Sequence, residues 1–326
     1  VFSDEVNADI EEFFRKREME ISKMSLSQAE VPSKCRVIRN KLGTAPGMVF
    51  FEKERYYISL PGVPYEMKEM METSVIPMLI EEIERRHESV VKYKTIYTSG
   101  IPESNLAELI GNEREFLKEG ETLAYLPSTK GVRLRIGVPG PDFSSCDERL
   151  YEIEKTLISK ISNFVLPLEN KELTDTVCEL LKTKKKTLAV AESCTGGMLG
   201  AEITSVSGAS EFFIGGEITY SNWAKSARLN VQEKTLLEFG AVSEQTACEM
   251  AENVRKIFNT DFGISITGIA GPTGGSPEKP VGTVWIGLSS QEKTYAKKFV
   301  FGGNRNINRE RAVYTALNEL KKALVE

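Results

Sequence analysis

The stretch AVAESCTGG, Ala189 to Gly197, carries a short apolar segment straight into Glu192, Ser193, Cys194, Thr195 and two glycines. With its flanks, TLAVAES reads as a buried strand, and the glycines mark a tight turn into a helix that begins near Thr195. A serine at such a place has two readings. It caps the next helix by accepting a backbone N–H, or its hydroxyl is a nucleophile presented at the end of a strand.

Outward from that turn, residues 171–326 alternate between helical and strand patterns. The amphipathic ELTDTVCELLKTKK precedes the strand, and FFIGGEITYSNWAKSARLNV follows the turn. A helix SEQTACEMAENVRKIF opens at Ser243, and FGISITGIAG reads as a second buried strand. GTVWIGLSS and TYAKKFVFGG supply two more strands before a closing helix in NRNINRERAVYTALNELKKALVE. This alternation predicts an α/β domain with a mixed sheet.

Two glycine-rich turns, SCTGG and TGIAGPTGG, follow apolar strands, where an open α/β sheet holds its ligands. Their backbone N–H groups can approach an anion, aided by a helix N-terminus. Neither matches a P-loop or a dinucleotide fingerprint. Tyr220 and Lys225 lie five positions apart, with Ser221 or Asn222 able to cap a helix between them, so both can point into one cleft. The commoner outcome of that spacing is a surface lysine. Arg305 and Arg309, four apart near the start of the last helix, suit a phosphate clamp or a solvated basic face.

The preceding residues form two smaller blocks. Residues 90–168 run strand, helix, strand, strand, helix, strand, from KTIYTSG to NFVLP, the order of a split ferredoxin-like α+β layer. Gly137 to Gly140, GVPG, has the G-x-x-G form of nucleic-acid clamps, but it follows a strand and lacks basic flanks. Residues 1–89 hold a first helix, the strands GMVFFE and RYYISL, and turns at Gly43, Pro46, Gly47, Pro61, Gly62 and Pro64. That block reads as the second half of a doubly wound unit.

Composition limits the chemistry. The chain of 326 residues has 40% hydrophobic and 27% charged residues and a net charge of -5, which fits soluble globular domains and opposes a protein built to grip phosphate backbones. No apolar run approaches the roughly 20 residues of a membrane span, and the acidic start does not resemble a signal peptide. Cys35, Cys146, Cys178, Cys194 and Cys248 are unpaired in spacing, which suits reduced thiols in cytoplasm and offers no structural zinc site. The only histidine, His87, lies in a charged helical pattern, which argues against a Ser-His-Asp triad and leaves an active serine here to take its base from Lys, Tyr or a carboxylate.

AVAESCTGG, YSNWAK, GAVSEQTA, ITGIAGPTGG, PVGTVWIG and GNRNINR together resemble the carboxyl-terminal domain of the competence/damage-inducible protein A (CinA) family. The stand-alone relatives of that domain are nicotinamide mononucleotide deamidases. GTAPG and LPGVPYEM in the first block are similar to the later part of the family's molybdopterin-binding-like amino-terminal domain, which in some members hydrolyses ADP-ribose with a metal. The middle block takes the place of the family's KH-like domain. The glycine-rich loop ending in paired aspartates, which that amino-terminal domain carries, is not found in these residues. A divalent metal is therefore expected only where that domain is complete, and the deamidase half implies neither cofactor nor metal.

The resemblance implies that Ser193 attacks a nicotinamide carbonyl, with Lys225 as base and Tyr220 as relay or support. Backbone around Thr195, Gly196 and Gly197 is the expected oxyanion site, with Thr267 lining the pocket. Gly274, Gly275, Arg305 and Arg309 are expected to hold ribose phosphate. Cys194 is a rival nucleophile, and Glu192 would work against a basic Lys225 if the two paired. The competing functions are ADP-ribose pyrophosphate hydrolysis and a non-enzymatic role as a partner in competence or DNA damage. The expected partners are a small nucleotide substrate and a second copy of the chain, as a cytoplasmic homodimer, with no nucleic acid and no membrane.

Overall fold

The computed structural model describes residues 1–86, 89–167 and 172–325. His87 and the 168–171 junction lie outside the described residues. The chain divides into two compact units, Val1–Val90 and Val91–Glu326.

In the first unit, α1 (Asp4–Arg15) is capped by the Ser3 side chain, and α2 (Lys23–Ser27) follows. Strands β1 (Arg36–Ile38), β2 (Gly47–Glu52) and β3 (Arg55–Ser59) form a meander in which both pairs are antiparallel. Among the described residues of this unit the sheet is this antiparallel meander. Helices α3 (Pro64–Met70) and α4 (Ile76–Arg86) complete it. The turns LGTAPG and LPGVPYEM are joined through buried Glu66, which accepts from Asn40 Nδ2 at 2.7 Å.

The second unit starts with an α+β layer: β4 (Val90–Tyr97), α5 (Glu103–Ile110), β5 (Thr122–Ser128), β6 (Gly131–Gly140) and α6 (Phe143–Ile161), with strand order β4-β6-β5. The last strand expected in this layer is reduced to an isolated bridge between Thr98 and Val165, because Ser162–Phe164 closes into a 3-10 turn. Gly137 to Gly140 is the end of β6, not a loop joining helices.

After α7 (Leu173–Thr183), the rest of the unit is built on a five-stranded sheet. Its elements are β7 (Leu188–Glu192), α8 (Met198–Thr204), β8 (Phe213–Ile218), α9 (Asn222–Leu229), α10 (Glu233–Glu238), α11 (Glu244–Phe258), β9 (Phe262–Gly268), β10 (Thr283–Ser289), β11 (Thr294–Val300) and α12 (Arg305–Val325). Strand order is β11-β10-β9-β7-β8, with β7 parallel to both neighbours and the remaining pairs antiparallel. Every residue of β7 is buried, as a central parallel strand covered on both faces requires. Leu188 and Val190 pack with Leu199 of α8 and Leu317 and Leu320 of α12. Ala189 and Ala191 turn the other way, onto Leu229 of α9 and Met250 and Val254 of α11. Since β8 and β9 flank β7 on opposite sides, the connections leaving their carboxyl ends diverge there, at the end of the sheet where open α/β folds bind ligands. Ser193 is the first residue past β7. No helix among the described residues is long and apolar enough to cross a membrane.

Candidate active site

Ser193 leaves β7 with its N–H bonded to Ile266 O at 2.9 Å, which fixes where the strand ends. The next turn uses left-handed backbone at Gly196 (φ 62) and Gly197 (φ 95). At Gly197 a Cβ would meet only the tip of the exposed Ile218 side chain, so it is the left-handed backbone that demands glycine.

Ser193 is not the cap of α8. That role falls to Glu192, 1% exposed, whose Oε2 accepts from the N–H groups of Gly197 at 3.0 Å and Leu199 at 3.1 Å and whose Oε1 accepts from Gly200 at 2.8 Å. A carboxylate at a helix N-terminus is favoured by the dipole and by charge-assisted bonds. The Ser193 hydroxyl is thereby left uncommitted to the helix. This arrangement corrects the expected oxyanion set. Gly197 N–H serves Glu192, and Gly196 N–H serves Ser193 O at 3.1 Å. Among the described residues, the N–H groups of Cys194, which faces its own thiol, and Thr195 have no oxygen acceptor, which makes them the candidate donors for a developing oxyanion.

Lys225 is not a surface lysine. Helix α9, capped by the Ser221 side chain, turns it inward until it is only 1% exposed. Its Nζ donates to Thr219 O at 2.8 Å and to Ser193 Oγ at 2.9 Å. Burial lowers its pKa to about 8, with the nearby Cys194 thiol opposing weakly. Glu192 is spent on α8, so the opposing ion pair is not formed. Burial also pushes the Cys194 thiol up to about 11, which keeps this rival protonated and a poor nucleophile at neutral pH. The hydroxyls of Thr195 and Thr219, both buried beside the pair, lack any partner.

Tyr220 goes elsewhere. It is 59% exposed, and its hydroxyl accepts from Arg305 at 2.8 Å. Among the described residues no hydrogen bond links Tyr220 to Ser193 or Lys225, so the expected relay has no contact to support it: the Tyr220 ring is exposed while Lys225 is buried. The same Arg305 guanidinium donates to Gly271 O at 2.9 Å, and Arg309 donates to Thr195 O at 2.7 Å. The first two turns of α12 thus meet the chain just after β7, β8 and β9. Thr267 is buried with its hydroxyl committed to Ala241 O at 2.7 Å, so it offers packing rather than a free donor. Gly274 and Gly275 are exposed, and no hydrogen bond among the described residues ties them to Ser193, Lys225 or Arg305.

Two participants escaped the sequence reading. The Thr219 carbonyl orients Lys225, and Asn308, fully buried, donates to Ala270 O at 3.1 Å and Gly303 O at 3.0 Å. A carbonyl has no sequence signal, and Asn308 sits one residue before an arginine that draws attention first. The Glu192 cap did have a signal. Gly197 starts α8 with no side chain to offer, so a nearby acid had to cover its N–H groups.

Ser193 and Lys225 make a hydroxyl and a weakly basic amine in contact at a strand end. This is the minimum for nucleophilic attack on an acyl carbon. A family model for the CinA C-terminal domain matches residues 170–324, and one for the damage-inducible protein CinA KH domain matches residues 93–165. A CinA-like protein of Chloroherpeton thalassium is 39% identical over 99% of this chain and 78% of its own length. A CinA-like protein of Kosmotoga olearia is 39% identical over 97% of this chain and 76% of its own length. Among solved structures, the competence/damage inducible protein CihA from Agrobacterium tumefaciens is 36% identical and covers 47% of this chain and 94% of its own, with a TM-score of 0.46.

Proposed function

The chain belongs to the CinA family, and on that premise we propose that it is a nicotinamide-nucleotide amidohydrolase, converting nicotinamide mononucleotide to nicotinate mononucleotide and ammonia. The observation that carries the proposal is the 2.9 Å contact between Lys225 Nζ and Ser193 Oγ at a buried position with no carboxylate on the amine. Burial favours the neutral amine, which takes the Ser193 proton as Oγ bonds to the carboxamide carbon. The carbonyl oxygen becomes an oxyanion, for which the Cys194 and Thr195 N–H groups are the proposed donors. As the C–N bond breaks, the Lys225 ammonium returns its proton to the leaving nitrogen, and ammonia departs. A water molecule, deprotonated by the same amine, then attacks the acyl-serine ester; as the C–Oγ bond breaks, Oγ takes its proton back from the Lys225 ammonium and the product leaves as the carboxylate. The pyridinium charge of the substrate lowers the Lys225 pKa further. Arg305, held at the mouth by Tyr220 and Gly271, supplies a planar fork suited to the phosphate.

The test is ammonia release from nicotinamide mononucleotide by wild type, Ser193→Ala and Cys194→Ala. Turnover lost in the first variant and kept in the second is the expected result. No turnover in wild type, or loss with Cys194→Ala alone, overturns it.

A further inference from the structure

Helix α12 begins with Arg305, and its cap is Asn304, whose Oδ1 accepts from Ile307 N–H at 3.0 Å. One turn later, Asn308 is 0% exposed. Both amide hydrogens of its side chain are used, on Ala270 O in the turn after β9 and on Gly303 O just before the helix. Two carbonyl acceptors fix the orientation of the amide, since the reverse would press Oδ1 against two oxygens. Among the described residues its Oδ1 has no donor. Keeping a buried amide with an unpaired acceptor is costly, and that cost calls for a reason, since the other buried polar residues of this helix, Asn318 and Glu319, both accept hydrogen bonds. The adjacent Arg309 reaches Thr195 O, two residues beyond Ser193.

We infer that Asn308 is a positioning residue for the proposed amide hydrolysis: it locks the turn after β9 to α12, and through the neighbouring Arg309 this fixes the Ser193 turn opposite it. The inference rests on the amidase reading for its kinetic consequence but not for the contacts themselves. Asn308 is sealed from solvent and does not touch substrate. Its effect is on the spacing of the two strand-end turns, where small displacements of reacting groups are expensive.

The experiment compares Asn308→Ala and Asn308→Asp with wild type in the full chain, by ammonia release and by hydrogen exchange of backbone amides. A fall in kcat on the order of 10–100-fold is expected, with KM changed much less and the pH midpoint unmoved. Asp is expected to be at least as damaging as Ala, because a carboxylate matches Asn in size yet donates to neither carbonyl. Exchange is expected to quicken across 193–200 and 269–275 while α11 stays protected. Wild-type turnover in Asn308→Asp, unaltered exchange in both turns, or loss of the cooperative thermal transition in both variants overturns the proposal. Absence of turnover in wild type, with the exchange pattern as expected, overturns the amidase reading and leaves the lock standing.

Discussion

Ser193 and Ser99 each lie within hydrogen-bond distance of a lysine amine, Lys225 at 2.9 Å and Lys321 at 2.8 Å. Both serines follow a strand, both are buried, and burial lowers the pKa of both lysines. Yet Ser99 also donates to Asn318 Oδ1 at 3.1 Å, and its own N–H is bonded to Phe164 O. With its proton given to an amide and its lone pairs to an ammonium, that hydroxyl stitches the end of β4 to α12. Among the described residues, Ser193 Oγ has Lys225 alone, beside threonine hydroxyls that have no partner and backbone N–H groups that have no oxygen acceptor. A short distance between hydroxyl and amine therefore does not make a reactive pair. What separates the two is hydrogen-bonding capacity left unfilled.

The sharpest way to break that contrast is Lys225→Met. Turnover is expected to fall on the order of 10²–10⁴-fold in a steady-state assay. The folded protein should nevertheless melt higher, by roughly 1–3 kcal/mol at pH 7, because a buried ammonium without a counter-ion has been removed. The sign follows from the depressed pKa. Lys225 binds its proton more weakly folded than unfolded, so the cost is complete below about pH 8 and fades as pH rises toward 10.5. In the wild type, kcat/KM is expected to rise through about pH 8 as the amine becomes neutral. A flat profile across that range would remove Lys225 as the base.

Glu192→Gln sharpens the comparison at its supporting layer. One amide oxygen cannot serve three N–H groups, so a loss of about 1–3 kcal/mol in chemical denaturation is expected, with a slower kcat. Tyr220→Phe removes one acceptor from Arg305 and is expected to raise KM by about fivefold, as a single hydrogen bond would, with kcat nearly unchanged. The smallest effect belongs to Ser99→Ala, about 1 kcal/mol of stability and no change in turnover. If Ser99→Ala slowed ammonia release as severely as Lys225→Met, the distinction between the two pairs would collapse.

Much of the architecture is legible in local pattern. The apolar run before Ser193 predicts a buried strand, and β7 is one; Ser243 caps α11 as its position suggests, its Oγ accepting from Thr246 N–H. The short NFVLP pattern misled, since a few apolar residues do not distinguish a strand from a turn that merely packs. Glycines at 196 and 197 also announced a turn, but not that a buried acid would occupy the N–H groups around it.

The sequence by itself determined the alternation of faces along each strand, the glycine turns at strand ends and the order of elements, because side-chain periodicity and backbone sterics act within a few residues. Only the tertiary structure decided that Lys225 is buried against Ser193 from 32 positions away, that Tyr220 faces solvent, and that Ser99 is held by Asn318 across 219. A proton affinity and a hydrogen-bond partner are properties of surroundings assembled from distant segments, and no local pattern carries them.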